Sequence, residues 1–410
     1  MRILMMTQLF DPEPDYKGLI FAKELQRAGH EVEVVTGFPN YPGGKLYPGY
    51  RVRWLQREMI DGVPVNRIPL YPSHDSSAFR RALNYLSFAV SACTFAVFGA
   101  KKADVIYAYD PPMSVPFAAS VVGLLRRTPV VLDINDLWPD SIHASGMLRS
   151  RLLLGLVGMI CQWTYSRASR VVVVTPGFRR RLIERGVPAA KIDLIYNWCD
   201  EQALRSPGRI DLRGFGLEGR FNVVYAGNMG IGQELQAVLR AARRVAAIEP
   251  QVQFVFVGTG VDAEEIRNYA RELKVDNVRF FPWIPMADVG AVLAAANVLL
   301  VHLRDDPLYE ITIPGKTAAY LAVGKPILMA VKGDAADLVM AAGAGVCARP
   351  EDEESIAEAV LELCRMPPEK LEEMGRRGSE YYSRHLNLAR ATEQWVRVLE
   401  AARKPGHPPA

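Results

Sequence analysis

The sequence predicts an α/β protein built from two doubly wound, Rossmann-like domains. At 410 residues the chain exceeds the size at which one hydrophobic core keeps growing. Short apolar runs typical of buried parallel strands alternate with helical segments, and this alternation starts again after residue 220. The predicted domains comprise residues 1–200, with a C-terminal helix over 381–403 that packs back on them, and residues 201–380.

The composition excludes several classes of protein. Half of the residues are hydrophobic, which indicates a globular chain, and the net charge of +4 is too small to indicate nucleic-acid binding. The five cysteines are scattered and form no C-x-x-C pair, so neither a disulfide framework nor a zinc site is expected. Because the N-terminus leads directly into a strand-like run, we expect no signal peptide and a cytoplasmic location.

The first predicted domain begins with a strand, a helix and a second strand, over residues 3–7, 17–27 and 32–36. The loop over residues 9–18 therefore falls where a doubly wound sheet binds its ligand. Residues 38–50 follow, with many turn-forming and aromatic residues. These aromatic residues either stack on a sugar or base ring or cover an edge of the core.

Two later strands of this domain lead to acidic residues. Residues 104–109 lead to Asp110, and residues 130–133 lead to Asp136. Because the carboxyl ends of parallel strands form the ligand edge of such a sheet, both carboxylates are candidates for contact with a substrate. A surface carboxylate without a role is the alternative for each. Asp133, at the end of the second strand, is predicted to fix a loop.

Residues 82–100 and 147–160 form two strongly apolar segments next to basic residues. The first segment is near the lower length limit of a membrane span. Strands of one sheet surround it, however, so a buried or half-inserted helix is favoured over a span. Together the two segments suggest peripheral contact with anionic lipid, and plain burial in the core is the alternative.

The second predicted domain places glycines at successive strand ends. Residues 221–226 predict a strand, which is followed by a glycine loop over 227–232 and by a helix, an order that cradles phosphate. The spacing differs from the dinucleotide motif, and no acidic residue ends the next strand, which argues against NAD. The remaining predicted strands are residues 254–257, 277–281, 297–301 and 326–331.

Residues 305–326 are the most informative stretch. They follow a predicted strand, and Pro314 is suited to the first turn of a helix. The helix would then begin at the carboxyl end of a strand, where Gly315 permits close backbone approach and Lys316 adds a cation. This arrangement predicts a diphosphate site at the helix N-terminus. An ordinary helix start with a solvated lysine is the alternative.

Seven short motifs are distributed over nearly the whole chain: GHEV (29–32), GFPNYPGG (37–44), LYPSH (70–74), DLWP (136–139), TPGF (175–178), YAGNMG (225–230) and IPGK (313–316). They resemble glycosyltransferase family 4, in the branch associated with bacterial capsule, colanic-acid and O-antigen assembly. The resemblance implies the GT-B fold, in which two Rossmann-like domains face each other across a cleft and the second domain holds a nucleotide-sugar donor. It also implies a retaining transfer without an obligatory metal, and the chain has no clear D-x-D metal motif.

The chain departs from the family pattern at the donor site. Typical members carry two glutamates eight positions apart, whereas this chain has Ile311, with Glu310 one residue out of register, and Ala319. Asn228 and Gln233 lie near the places of the usual arginine and lysine. A catalytically silent nucleotide-sugar-binding subunit, or an epimerase of the same architecture, is therefore kept as an alternative function.

Together with the resemblance, the sequence thus predicts a retaining, metal-independent glycosyltransferase. It would move a sugar from a nucleotide-diphosphate donor, a UDP-linked acetamido sugar, to a lipid-linked saccharide at the cytoplasmic membrane face. Lys316 and the helix N-terminus are predicted to stabilise the departing diphosphate. Glu310 is predicted to contact sugar hydroxyls, and Asp136 or Asp110 to orient the acceptor hydroxyl. The further predicted donor-binding residues are Gly227, Asn228, Gly230, Gln233, Gly258, Trp283, Thr312, Pro314, Gly315, Thr317 and Asn197. Neither a metal nor a cofactor is expected.

Overall fold

The computed structural model describes residues 1–14, 17–73, 77–144, 150–205 and 210–403. Contacts divide the chain into two units. Unit 1 comprises Met1–Tyr196 together with the chain from Ala391, and unit 2 comprises Asn197–Arg390. The boundaries expected from the sequence were 200/201 and 380/381. The start of the 147–160 segment and the glycine- and proline-containing linker around Pro207 lie outside the described residues.

The strands of unit 1 are β1 (Arg2–Met6), β2 (Glu31–Gly37), β3 (Gln56–Ile60), β4 (Val63–Ile68), β5 (Val105–Asp110), β6 (Val130–Ile134), β7 (Arg170–Val173) and β8 (Ile192–Leu194). They form one sheet in the order β3-β4-β2-β1-β5-β6-β7-β8. Every neighbouring pair is parallel except β3 and β4. The strand order reverses between β1 and β5, so the carboxyl ends of these strands mark the ligand side of unit 1.

The helices of unit 1 that precede unit 2 are α1 (Leu19–Arg27), α2 (Ala78–Phe98), α3 (Ser114–Arg126), α4 (Asp140–Ala144), α5 (Arg151–Arg167) and α6 (Pro176–Glu184). The helix α3 packs between α2 and α5. These three helices follow β4, β5 and β6, and right-handed crossovers in one direction place them on the same face of the sheet.

Unit 2 contains the strands β9 (Phe221–Ala226), β10 (Val252–Val257), β11 (Val278–Phe281), β12 (Val298–His302), β13 (Ile327–Ala330) and β14 (Gly345–Cys347). They form a parallel sheet in the order β11-β10-β9-β12-β13-β14. The strands are apolar and buried because helices cover both faces. The order reverses between β9 and β12, and the loops that follow these two strands therefore adjoin the ligand side of unit 2.

The helices of unit 2 are α7 (Glu201–Arg205), α8 (Leu235–Ala246), α9 (Ala263–Glu272), α10 (Met286–Ala294), α11 (Pro307–Glu310), α12 (Lys316–Val323), α13 (Asp334–Ala341), α14 (Glu353–Arg365) and α15 (Pro368–His385). The last helix, α16 (Leu388–Arg403), returns the chain to unit 1. Its Trp395 is fully buried there, with ring centroids 5.8 Å from Phe21 and 5.1 Å from Tyr107.

The structure differs from the sequence-based elements in two places. The expected single helix beyond residue 379 is two helices, α15 and α16, because Asn387 caps the second one: its Oδ1 accepts a hydrogen bond of 2.7 Å from Arg390 N. The hairpin of β3 and β4 was not identified, although its turn carries the usual signal. Asp61 and Gly62 both have positive φ, 46° and 85°, as a two-residue hairpin turn requires.

Candidate active site

The side chain of Lys316 lies where the strand order of unit 2 reverses. Its Nζ is 3.5 Å from the centroid of the Tyr225 ring, at the end of β9. A Cβ placed on Gly227 would lie 2.9 Å from the same Nζ, and Gly227 has a φ of +139°. The backbone conformation therefore requires glycine here, and a side chain at this position would also displace the ammonium group of Lys316. The structure brings together the glycine loop and the lysine that the sequence predicted as partners.

Tyr320 holds α12 against β9. Its hydroxyl accepts a 2.8 Å hydrogen bond from Ala226 N and lies 3.3 Å from Ala226 O, to which it donates. Residues four apart lie on the same side of a helix, so this anchor also directs Lys316 toward the end of β9. The sequence analysis did not identify Tyr320 or Tyr225 as site residues. Only the four-residue spacing between Lys316 and Tyr320 could have suggested a shared role.

The ammonium group of Lys316 has no hydrogen-bond partner in the described part of the chain. Burial lowers the pKa of Lys316 to about 7. Burial also raises the pKa of Tyr225 well above its usual value, so the ring stays neutral and attracts the cation through its face. The hydroxyl of Thr317 is buried without a partner among the described residues as well. A buried cation without a counter-ion is costly, so this arrangement favours an incoming anion.

The helix α12 begins two residues later than predicted. The sequence predicts the first turn at Pro314, but the helix starts at Lys316 because Thr317 N first closes a turn on Pro314 O at 2.9 Å. Gly315 precedes the helix, is exposed, and provides no side-chain cap. A Cβ on Gly315 would meet no atom within 4 Å. The helix N-terminus is therefore open, and its first N–H groups can bind an anion.

Gln233 shapes the loop that follows β9. Its Oε1 accepts hydrogen bonds from Gly230 N at 3.0 Å and from Asn228 Nδ2 at 3.3 Å. The loop after β10 packs closely against the loop after β9, since a Cβ on Gly258 would clash with Gly227 O. The predicted donor-binding residues in these two loops thus lie together, and Gln233 acts on the loop rather than pointing freely to a ligand.

His302 was not identified from the sequence, although it ends the apolar strand β12. Its Nδ1 is 2.6 Å from Gln233 O, and its Nε2 is 3.1 Å from Glu351 N. Because a backbone N–H can only donate, Nε2 is the acceptor and Nδ1 carries the proton. Burial lowers the pKa of His302 to about 4, so the ring is neutral. It links the glycine loop to the segment that leads into α14. A histidine directly after four apolar strand residues is the signal that could have revealed it.

The segment before α12 packs on the neighbouring loops. A Cβ on Gly232 would clash with the hydroxyl of Tyr309, and a Cβ on Gly333 would clash with Glu310 O. The Glu310 side chain is exposed at the end of α11. The hydroxyl of Thr312 donates a 2.7 Å hydrogen bond to Leu308 O, so it stabilises this segment.

Two predicted donor-binding residues lie away from this group. Trp283 follows the edge strand β11, which is separated from β9 by one strand, and it is 58% exposed. Asn197 is half-buried and is the residue of the chain with which unit 2 begins. Their assignment to the donor site stays a prediction.

In unit 1, Asp110 and Asp136 lie together at the carboxyl ends of β5 and β6. Asp136 N is 3.4 Å from Asp110 Oδ2, and the other oxygen of Asp110 has no partner in the described residues. Burial, followed by the charge of Asp136, raises the pKa of Asp110 well above its usual value. Burial also raises the pKa of Asp136 to about 6. Because the charge of Asp136 adds to the effect of burial on Asp110, Asp136 is the member of the pair that loses its proton first as the pH rises.

Asp133 fixes a loop, in agreement with the sequence analysis. Its carboxylate forms a buried ion pair with Lys17 at 2.7 Å. Tyr107 and Asn135 also donate to it, at 2.6 Å and 2.8 Å. These bonds tie the loop after β1 to the end of β6.

The loop over 38–50 is held by Glu13. The carboxylate accepts hydrogen bonds of 2.8 Å from both Asn40 N and Tyr41 N, and one of 3.2 Å from Phe10 N. Burial raises the pKa of Glu13 despite these bonds. The described residues contain no group of three or more His, Cys, Asp or Glu side chains that could hold a metal ion.

Two family models match the chain. Residues 21–198 match the glycosyl transferase 4-like domain, and residues 220–366 match the glycosyl transferases group 1. A protein named for colanic acid biosynthesis, the glycosyl transferase WcaI of Escherichia coli, is 25% identical over 91% of this chain and 92% of its own length. WbjE of Pseudomonas aeruginosa, named as a glycosyltransferase, is 24% identical over 65% of this chain and 68% of its own length.

Solved structures share the fold. HepE of Anabaena, crystallised with UDP and glucose, has a TM-score of 0.72 at 18% identity, covering 98% of this chain and 99% of that chain. An α,α-trehalose-phosphate synthase (UDP-forming) of Burkholderia vietnamiensis has a TM-score of 0.72 at 12% identity, with coverages of 98% and 99%. The predicted fold class, with two Rossmann-like α/β domains, is confirmed.

Proposed function

Because the chain belongs to the glycosyltransferases, matching both of their domain models in order, we propose that it transfers a hexosyl or acetamidohexosyl group from a UDP-linked sugar to a lipid-linked saccharide. The relative named for colanic acid biosynthesis supports a role in polysaccharide synthesis. The UDP and glucose in the HepE crystal support the choice of donor. Retention of configuration and independence of a metal follow from the family resemblance and belong to this proposal.

The observation that carries the proposal is the cation of Lys316, which has no hydrogen-bond partner among the described residues, beside the open N-terminus of α12. The lysine side chain has several rotatable bonds, so Nζ can leave the ring of Tyr225 for an anion that enters beside Gly315. A diphosphate supplies the counter-charge that the described residues do not provide. The donor then lies where Gly227 leaves room and where the strand order of unit 2 reverses.

The reaction breaks the bond between the anomeric carbon and a phosphate oxygen, and the bonding electrons remain on the UDP that departs. The acceptor oxygen forms the new bond to the anomeric carbon, and its hydroxyl proton passes to the departing diphosphate. Negative charge therefore grows on the diphosphate, and Lys316 and the helix N–H groups stabilise it more in the transition state than in the ground state. Glu310 contacts hydroxyls of the donor sugar. Asp136, the member of the acidic pair that ionises first, orients the acceptor hydroxyl, and Asp110 accepts a hydrogen bond from the backbone N–H of Asp136.

Replacing Lys316 tests this proposal. Lys316→Met keeps the length of the side chain and removes the charge, so we expect kcat/KM to fall by about 100-fold or more, as for the loss of a transition-state charge stabiliser. Lys332→Met is the control, since Lys332 is exposed in the same unit and pairs with Asp305 at the surface. Turnover of Lys316→Met near that of the control would contradict the assignment.

Release of UDP from UDP-sugars in the absence of acceptor separates a transferase from a silent binding subunit. A transferase hydrolyses its donor slowly when no acceptor competes with water, and a silent subunit binds UDP without releasing the sugar. Recovery of an epimerised sugar instead of a free one would identify an epimerase.

We further propose that unit 1 contacts the membrane through α2, α3 and α5. One face of α2 is buried on the sheet, through Phe88 and Ala92, whereas Phe98, on its outer side, is 86% exposed. Leu152 on α5 is 87% exposed. Further exposed apolar side chains on the three adjacent helices are Phe79, Leu83, Leu86, Val90, Leu124, Leu125, Leu153, Leu156 and Met159. Soluble monomers rarely expose apolar surface on this scale.

The helix α2 contacts the membrane rather than crossing it in this proposal. Residues Phe79–Phe98 are long and apolar enough to span, with a mean hydropathy of 1.2, and 28% of that window is buried. The helix packs on β2, β4 and α3, however, and its Asn84 hydrogen-bonds Gln8 at 2.6 Å and Tyr71 O at 2.7 Å. Crossing the bilayer would break these contacts with the sheet. In this proposal the protein acts at the cytoplasmic membrane face, where a lipid-linked acceptor is available.

A further inference from the structure

A cavity of about 470 Å³ lies within unit 1, beside α5. One stripe of α5 lines it from Leu154 to Tyr165, and the turn after β6 supplies Trp138 and Pro139 as the opposite wall. Its size falls within the range of about 300–1,000 Å³ that is usual for small-molecule sites. None of the donor or acidic residues described above lines it.

Two glycines of α5 create much of this space. Gly155 and Gly158 lie inside the helix and line the cavity, and a Cβ on either would meet no atom of the described residues within 4 Å. Glycine in a helix interior costs about 1 kcal/mol relative to alanine. In the neighbouring α3, by contrast, Gly123 is required by packing, since a Cβ there would lie 2.9 Å from Thr128 O. Neither a positive φ nor a close contact with described residues requires glycine at Gly155 and Gly158. The absence of side chains at these two positions leaves the volume of the cavity open.

The cavity is apolar at one end and polar at the other. Leu154, Gly155 and Gly158 line the apolar end. At the polar end, Tyr165 is 1% exposed and its hydroxyl has no hydrogen-bond partner in the described residues. Arg185 lies there too and donates a 3.0 Å hydrogen bond to Trp138 O while pairing with Asp140. A ligand that fits must combine a hydrocarbon segment with a polar, hydrogen-bonding head.

We infer that this cavity binds the hydrocarbon chain of a lipid phosphate, with the chain along Leu154–Gly158 and the phosphate toward Tyr165 and Arg185. The apolar end adjoins the exposed Leu152 and Leu156 of the same helix, so a chain can enter from the surface that we propose to face the membrane. A sugar ring alone would leave the apolar end of the cavity without a matching partner, because α5 offers no polar side chain between Leu154 and Gly158. The occupant is therefore the lipid part of the acceptor, an identification that rests on the proposed function.

Calorimetric titration of the full chain with farnesyl phosphate, a short single-chain lipid phosphate, tests this inference. Gly158→Leu fills the cavity, and we expect it to weaken binding at least 10-fold. Its melting temperature should not fall, because leucine favours a helix more than glycine. Met159→Leu, on the exposed side of the same turn, is the matched control and should bind as the wild type does. Gly155→Leu repeats the test should Gly158→Leu fail to fold.

Three results would overturn the inference. The first is that farnesyl phosphate does not bind. The second is that both cavity-filling variants bind it as tightly as the wild type does. The third is that inorganic phosphate alone competes as strongly as farnesyl phosphate. UDP affinity is measured in the same samples. Intact UDP binding without lipid phosphate binding would refute the cavity assignment and leave the proposed function standing. Lipid phosphate binding without UDP binding would refute the proposed function instead.

Discussion

The pKa values of Lys316 and Asp136 both lie far from their usual values, and burial is the cause in each case. Burial lowers the pKa of Lys316 to about 7 and raises the pKa of Asp136 to about 6. The first group is therefore ready to gain a proton when an anion arrives, and the second is ionised above about pH 6. Both values fall where modest changes of environment alter the charge.

Above pH 7, Lys316 should take up a proton when the protein binds UDP. In the free protein Lys316 is mostly neutral at pH 8, and a bound diphosphate favours its charged form and so raises its pKa. The affinity for UDP should accordingly fall as the pH rises from 7 to 9. Calorimetry at pH 8 in two buffers of different ionisation enthalpy measures the uptake. Lys316→Met should abolish it, and unchanged uptake in that variant would assign the proton to another group.

The loops around β9 and β12 form one structural unit because hydrogen bonds between side chains and backbone atoms connect each segment to the next. Few residue types can form these bonds. His302 joins Gln233 O to Glu351 N, and Tyr320 joins α12 to Ala226. The strands, the glycine loop and the start of a helix near Lys316 could be predicted from apolar runs and turn residues. Sequence signals could have singled out His302 and Tyr320 but not the bonds that they form, because their partners are backbone atoms that are distant in sequence.

His302 should make the free energy of unfolding decrease as the pH becomes mildly acidic. Its pKa is about 4 in the folded chain and about 6.5 when unfolded, so the unfolded chain binds the proton first. This contribution is fully present above pH 6.5 and is lost as the pH falls toward 4, by up to about 3 kcal/mol.

The difference between wild type and His302→Gln isolates this contribution, because other buried groups titrate equally in both proteins. Urea unfolding at pH 7, 5.5 and 4.5 should show the wild-type advantage shrinking as the pH falls. His143→Gln, at an exposed position, serves as the control. An advantage that stays constant over this range would show that His302 does not titrate as its burial implies.

Unit 1 combines a substrate edge with a large apolar surface. The acidic pair lies at the carboxyl ends of β5 and β6, whereas α2, α3 and α5 expose apolar side chains on one face of the same sheet. Composition along the chain indicated the two apolar segments, but it could not distinguish a buried helix from one that is half exposed. That distinction depends on which side of each helix the sheet covers.

Vesicle binding should depend on this surface. The double variant Leu86→Glu with Leu152→Glu places charge on two exposed apolar positions of α2 and α5, and we expect it to stay in the supernatant when vesicles of anionic phospholipid are sedimented. Val261→Glu, at an 85% exposed position in unit 2, should sediment with the vesicles like the wild type. Equal sedimentation of all three proteins would refute the membrane contact, provided that UDP binding shows each to be folded.

The amino-acid sequence by itself determined the two α/β domains, the order of their strands along the chain, and the placing of Lys316 and the glycine loop after neighbouring strands. These features follow from local apolar patterns and turn chemistry, which act over a few residues. Only the tertiary structure decided that Lys316 lies on the ring of Tyr225, that Asp110 shares its site with Asp136, and that two glycines of α5 open a cavity. Burial and pairing depend on residues far apart in the chain, and those become neighbours only when the sheets assemble.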